Sequence, residues 1–418
     1  MKAFSRYYLV IASLFLITTS CSDDSGIESI ENIENSISIK DSTRVDLSEI
    51  KRIASSLYLN KNSKKKDNEI AEITPIGTDL TNPSYYIINY QNGGFLILSG
   101  DKRMFPVLAY SNTNNFDTKA EAYPDLLVSW LKQQDEKVRK MREDTVIMYP
   151  EIQKQWEVMN IQNYVSEDNQ VQQKSTESCG SLEVGESLLV ESYGPLLNTR
   201  WGQGEGYNNQ APDYNCTRYD NGKTATGCVA TAMAQIMRFH EYPNNYNWSI
   251  MPNAVTTSNM ASNGVDEIAR LMRDSGNSVG MDWGCDGSSA STGDADNALI
   301  SSFGYTSADY MGFSSSTLGN EVKNGYPVIL KGGEKVTKWL IFDTYQKGHA
   351  WVSDGYRRYK VVVLVNKGRW GPQPTCVNGY NYHMNWGWNG FNNGWYSSLS
   401  VDDYDFTYES KMVYNIRK

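Results

Sequence analysis

Three short motifs carry the residues best suited to covalent chemistry, and the first centres on a cysteine. Cys228 follows Gly227 in the run TGCVATAMAQIMRFH, residues 226–240. Val229, Met233, Ile236 and Met237 recur at close to the 3.6-residue period of a helix with one buried face. The alanines between them favour helix, and Pro243 marks its stop. Gly227 lets the chain turn sharply, which predicts Cys228 at the helix N-terminus. The N–H groups of a first turn and the positive end of the helix dipole gather there. A thiol in that position loses its proton more readily, and the thiolate is the nucleophile. The competing reading is a small cysteine packed at a helix start. A base within reach separates the two.

The second motif, GHAWVSDG at residues 348–355, offers that base. His349 stands between a flexible glycine and an alternating strand, a good place from which to line a cleft. A strand-end histidine bonded to backbone is the plainer alternative. The third motif is YHMNWGWNG, residues 382–390, with GWY at 394–396. The side-chain carbonyl of Asn385 can accept from a histidine N–H and fix its tautomer, leaving the other nitrogen for the thiol. The indole of Trp386 beside that bond would keep water off it. A tight hairpin of packed tryptophans would have the same sequence. Other motifs fail on inspection. Residues 221–224 (NGKT) lack the earlier glycine of a phosphate loop, His240-Glu241 has no second histidine at metalloprotease spacing, and no GxSxG occurs.

The elements that position these residues follow from a chain of 418 residues, long enough for two domains. A net charge of −9 and the lack of a basic aromatic stripe exclude a nucleic-acid partner. Six cysteines without a CxxC pair, and only three histidines, speak against a metal site. Residues 1–21 read as an export signal: Lys2 and Arg6, an apolar run, then TTSC. Small residues before Cys21 and acidic ones after it look like a bacterial lipoprotein signal, with simple secretion as the alternative. Outside the cytoplasm cysteines can pair, and Cys216, Cys285 and Cys376 are the candidates, with connectivity open.

Residues 22–45 are a polar tether. Residues 46–160 read as a small α+β domain without a nucleophile–base pair. It comprises a helix at 47–59, strands at 85–89 and 94–99 about a QNG turn, and an amphipathic helix at 126–141. Residues 161–190 have linker composition. From 191 to 418, helices come first (from 228, 265–273, 295–303). Strands follow at 328–330, 339–342, 349–353, 361–365, 382–386, 394–396 and 412–416. That order predicts an α+β domain with two lobes rather than a parallel sheet.

TGCVATAMAQIMRFHEYP, GHAWVSDG and NWGWNG, in this order, resemble the streptopain family of bacterial papain-like cysteine peptidases. WGQGEGYN is similar to the segment that supplies that family's oxyanion-hole glutamine, here Gln203. YYIINYQNGGFLILSGDKRMFPVLAYS is similar to its inhibitory prodomain. The resemblance implies a helical lobe facing an antiparallel β lobe. It makes Cys228 the nucleophile, His349 the base, Asn385 its orienter, Trp386 the cover and Gln203 an oxyanion donor. It implies an endopeptidase for protein or peptide substrates, made latent by its own N-terminal domain. The chemistry needs neither metal nor cofactor, and membrane contact would come only through a lipid on Cys21. Departures fall at residues 333–347, at an inserted strand pair at 356–381, and after Tyr396, where the family's glycine-rich subsite loop is missing. Rival classes are an acyl transferase using the same site and a catalytically silent surface binding protein.

Overall fold

The computed structural model describes residues 43–56, 69–120, 123–143, 150–159, 179, 182, 184, 187–332, 338–343, 348–367, 369, 372–398 and 410–418. The export signal, nearly all of the tether and most of the linker lie outside them. The N-terminal part comprises α1 (Leu47–Ser56), β1 (Ile70–Ile76), β2 (Tyr85–Tyr90), β3 (Phe95–Ser99), β4 (Val107–Ser111), α2 (Asp125–Glu143) and α3 (Pro150–Met159). The C-terminal part begins with β5 (Ser187–Tyr193), α4 (Cys228–His240), α5 (Asn263–Ser278), α6 (Asp294–Ser301), β6 (Ser307–Gly312) and α7 (Ser315–Lys323). It continues with β7 (Val328–Gly332), β8 (Lys338–Trp339), β9 (Phe342–Asp343), β10 (His349–Asn366), β11 (Pro372–Asn385), β12 (Gly394–Ser398) and β13 (Lys411–Arg417).

Strand β2 is buried throughout because both of its faces are covered, and its one carboxamide, Asn89, is satisfied by the Phe116 backbone. Tyr85 and Ile87 pack with Leu127, Trp130 and Leu131 of α2. Tyr86, Ile88 and Tyr90 pack on the opposite face with Ile50 and Ile53 of α1 and Ile152 and Trp156 of α3. The GDKR turn at 100–103 is structural. The buried Arg103 pairs with Asp101 at 2.8 Å, and Arg142 donates to the carbonyls of Asn82, Pro83 and Gly100. Further bonds to Asp101, from the Arg103 N–H at 3.0 Å and Arg142 Nε at 3.3 Å, offset the cost of burying the pair.

The mixed helix and antiparallel-sheet class is as expected, but the two parts share one sheet. Its order is β1-β2-β3-β4-β12-β11-β10-β7-β13-β6, with β5 alongside β10. The junction is β4 against β12, where Tyr110 opposes Trp395 and Ala109 opposes Tyr396. Trp130 of α2 covers this seam, edge-on to Tyr396 with centroids 5.2 Å apart. Arg357 of β10 lies 4.0 Å over Trp395 and donates to the Tyr110 hydroxyl. On the far side, α4 is buried among α5, α6 and the inward residues Ile329, Ala350, Val352, Val413 and Ile416.

Several elements exceed the sequence reading. β5 begins inside the stretch read as linker and pairs with the outer half of β10, from Tyr193 opposite Tyr356 to Ser187 opposite Val361. α3, β1, β6 and α7 were not expected. The strand expected at 339–342 is broken by Leu340 at φ 50° into two two-residue strands. The inserted strand pair at 356–381 is present as the long arm of β10 and β11. Two disulfides join Cys216 to Cys285 and Cys376 to Cys179, the last a cysteine outside the expected candidates.

Candidate active site

Cys228 is the first residue of α4, as its sequence predicts. Gly227 enters the helix at φ 83°, a conformation that favours glycine, and a Cβ there would also have to push aside the end of the Met281 side chain. The turn is locked from below. Thr231 Oγ1 donates to the Gly227 carbonyl at 2.9 Å and lies 3.0 Å from the Thr226 hydroxyl. The Thr226 N–H donates to the Gln203 carbonyl at 3.0 Å, which fixes the WGQG segment beside the cysteine. The Cys216–Cys285 disulfide ties the loop after that segment to the loop before α6. Closing a loop of 69 residues contributes about 4 kcal/mol in the chain-entropy account.

His349 opens β10 opposite Gly332 of β7. Its Nε2 lies 2.9 Å from the Trp386 carbonyl oxygen. A carbonyl can only accept, so Nε2 carries the proton and Nδ1 of the neutral ring is the acceptor. The ring lies parallel to Trp351 with centroids 6.1 Å apart and is also flanked by Trp386 and Trp388. Burial among these indoles pushes the imidazole down to about 4, with the bond to Trp386 acting in the opposite direction. The base is therefore neutral at pH 7 in this form.

Asn385 ends β11, next to Trp386, but its carboxamide is engaged elsewhere than expected. Nδ2 donates to the Thr199 carbonyl at 2.8 Å. Oδ1 accepts from Gln235 Nε2 and the Gly387 N–H, each at 3.3 Å. Gln235, on α4 two turns beyond Cys228, is itself held by the Thr199 hydroxyl at 2.9 Å. The orientation of Asn385 is thus fixed with its oxygen as acceptor. In this form the Trp386 carbonyl, one residue on, takes the imidazole N–H and selects the tautomer that the sequence reading assigned to Asn385. The Trp386 ring lies beside the imidazole, centroids 6.5 Å apart, but not over a His349–Asn385 bond, which this form does not have.

Cys228, His349 and Gln203 line one cavity of about 300 Å³ together with Gly387, Trp388 and Asn389. Cys228 is 8 % and His349 7 % exposed. Asp117, Ala120, Tyr123 and Pro124 of the N-terminal part close the same cavity. Among the described residues, no cluster of His, Cys, Asp and Glu could hold a metal ion.

The model of the peptidase C10 family matches residues 201–245 and 244–396, the stretch that holds all five candidate residues. Residues 201–396 belong to the peptidase C10 family. The model of the Spi protease inhibitor matches residues 42–138, so this cysteine peptidase carries a zymogen-like inhibitor domain. It is 27% identical over 368 residues to streptopain of Streptococcus pyogenes, covering 77% of this chain and 75% of the relative. It is 25% identical over 345 residues to a thiol protease/hemagglutinin of Porphyromonas gingivalis, 74% of this chain and 33% of that protein. The fold is similar to a prointerpain A fragment of Prevotella intermedia, with a TM-score of 0.53, 22% identity, and coverage of 83% of this chain and 99% of that one.

Two groups in the peptidase's site escaped the sequence reading. Gln235 had a visible signal, a polar residue within an apolar, alanine-rich helix. The cavity-closing residues of the inhibitor domain had none, because their segment is ordinary polar loop sequence.

Proposed function

We propose that this peptidase is an exported endopeptidase whose Cys228 attacks substrate carbonyls with His349 as its base. The observation that carries this reading is the shared cavity. A cysteine at a helix N-terminus and a histidine with Nδ1 as acceptor face it together with Gln203. His349 takes the thiol proton, and the thiolate adds to the peptide carbonyl. Gln203 and the Cys228 N–H stabilise the oxyanion. The imidazolium then protonates the leaving amine as the C–N bond breaks. Water, deprotonated by His349, cleaves the thioester and restores the thiol. In the latent form the inhibitor domain covers the cavity, and burial keeps His349 neutral, which disfavours the thiolate–imidazolium pair. On activation His349 is released from the Trp386 carbonyl and its N–H passes to the Asn385 oxygen. The test is labelling of activated protein with a thiol-directed peptide electrophile. One equivalent should attach in wild type and none in Cys228→Ala; equal labelling of both would refute the assignment.

Location belongs to the same proposal. Two disulfides suit an oxidising compartment, and Cys21, outside the described residues, is the proposed lipid site. Cys21→Ala, or blockade of lipoprotein signal cleavage, should move the protein from the membrane fraction to the soluble one. Unchanged fractionation would leave simple secretion.

A further inference from the structure

Where the inhibitor domain crosses the cavity rim it is gripped by its main chain, and one residue supplies both bonds. The Asn392 N–H donates to the Asn115 carbonyl at 3.0 Å. The Asp117 N–H donates to Asn392 Oδ1 at 2.9 Å. The carbonyl of one residue and the N–H of the residue two further on point to the same side of an extended chain. A neighbouring parallel strand would take both with the N–H and C=O of a single residue. Asn392 imitates that residue with a substitution of acceptor. Its own carbonyl is engaged by Trp386 Nε1 at 3.0 Å and the Tyr396 hydroxyl at 2.6 Å, so its carboxamide oxygen takes the place of the backbone one.

The residue is also held ready. It is buried, it sits at φ 64°, a conformation asparagine tolerates better than most side chains, and two aromatic side chains anchor its carbonyl. Asn392 and Asp117 both line the cavity that contains Cys228 and His349. Neither bond reads a side chain of the bound segment.

We infer that Asn392 is a substrate-binding residue of the activated peptidase. Once the inhibitor domain has left, its N–H and Oδ1 take the main chain of an extended polypeptide at two positions, whatever its sequence. This rests on the reading of the cavity as the active site and on displacement of the domain from it. Backbone recognition of this kind gives affinity, and neighbouring pockets must then supply preference.

The test uses full-length protein processed to its active form, with wild-type enzyme added where a variant cannot process itself and then removed. Cys228 labelling sets the active-site concentration, so failure of the catalytic reading would show as absent labelling in wild type. Asn392→Gly suits the φ and keeps the backbone contacts. It should raise KM roughly 3- to 10-fold for two peptides of unrelated sequence, with a smaller loss on a short ester. Asn392→Asp, which retains the acceptor, should recover most of that loss. A scan of N-methylated peptides against wild type should find one amide whose methylation costs as much, and Asn392→Gly should add nothing to it. Unchanged peptide KM, a loss confined to one sequence, an equal loss on the ester, or a scan without a sensitive amide would each overturn the inference. The scan stands even if a variant does not fold.

Discussion

Cys228→Ala is expected to abolish proteolysis of unfolded casein, by roughly 10⁴-fold or more, while the circular dichroism spectrum stays unchanged. The fold should tolerate the change because alanine replaces a small buried side chain at a helix start. The turn into α4 is held by Gly227, Thr226 and Thr231. His349→Ala should be as inactive, since no other imidazole lines the cavity. Asn385→Ala should differ in kind. Some turnover should survive, because Asn385 only orients the base and takes no part in the bonds made and broken. Thermal stability should fall as well, since the Thr199 carbonyl and Gln235 amide lose a buried partner, a cost of about 1–3 kcal/mol. Full activity in Cys228→Ala would remove the nucleophile assignment. A wild-type kcat/KM in Asn385→Ala would remove that residue from the mechanism.

The difference between Asn385 and Cys228 marks what the sequence could convey. Cys228 lies within local order, a glycine followed by periodic apolar residues, and local order dictates a helix start wherever the helix packs. The bond that orients His349 depends on which of two adjacent acceptors the ring meets, a matter of tertiary state and not of residue type. Strand β5 shows the same limit. Residues 187–190 read as linker, yet they open a strand because the arm of β10 offers them an edge. The junction of β4 with β12 joins strands nearly three hundred residues apart, and no periodicity in either one names its partner. Cys376 was visible as a pairing cysteine, but Cys179 sits in polar sequence with nothing to single it out. Helices α1, α2 and α4 and strands β2 and β3 were legible because each buries a contiguous apolar stripe or both faces.

Purified wild-type protein should cut itself within the linker, shed a piece of about 15–20 kDa from its 47.2 kDa and gain activity, whereas Cys228→Ala should stay whole. The domain to be shed is held by the β4–β12 pairing, the Arg357–Tyr110 contact and Trp130 on Tyr396. A tether keeps such a domain at roughly millimolar local concentration, so even modest contacts close the site until the tether is cut. Apolar residues that could guide the cut are Val171, outside the described residues, and residues 188–190. The latter lie in β5, where Leu188 and Leu189 pair with Lys360 and Tyr359, and a paired strand cannot enter an active site extended and alone. The Cys179–Cys376 disulfide adds a second argument. A cut at 188–190 would leave the inhibitor domain covalently attached through Cys179, while a cut before Cys179 releases it. Release should therefore be visible on a non-reducing gel as well as a reducing one, with residues from 179 onward retained on the mature enzyme. A fragment that separates only after reduction would place the cut beyond Cys179 and make reduction a condition of release. Full activity of uncut protein with the linker blocked by substitution would end the latency proposal altogether. The inhibitor domain would then serve the fold by completing the sheet at β12.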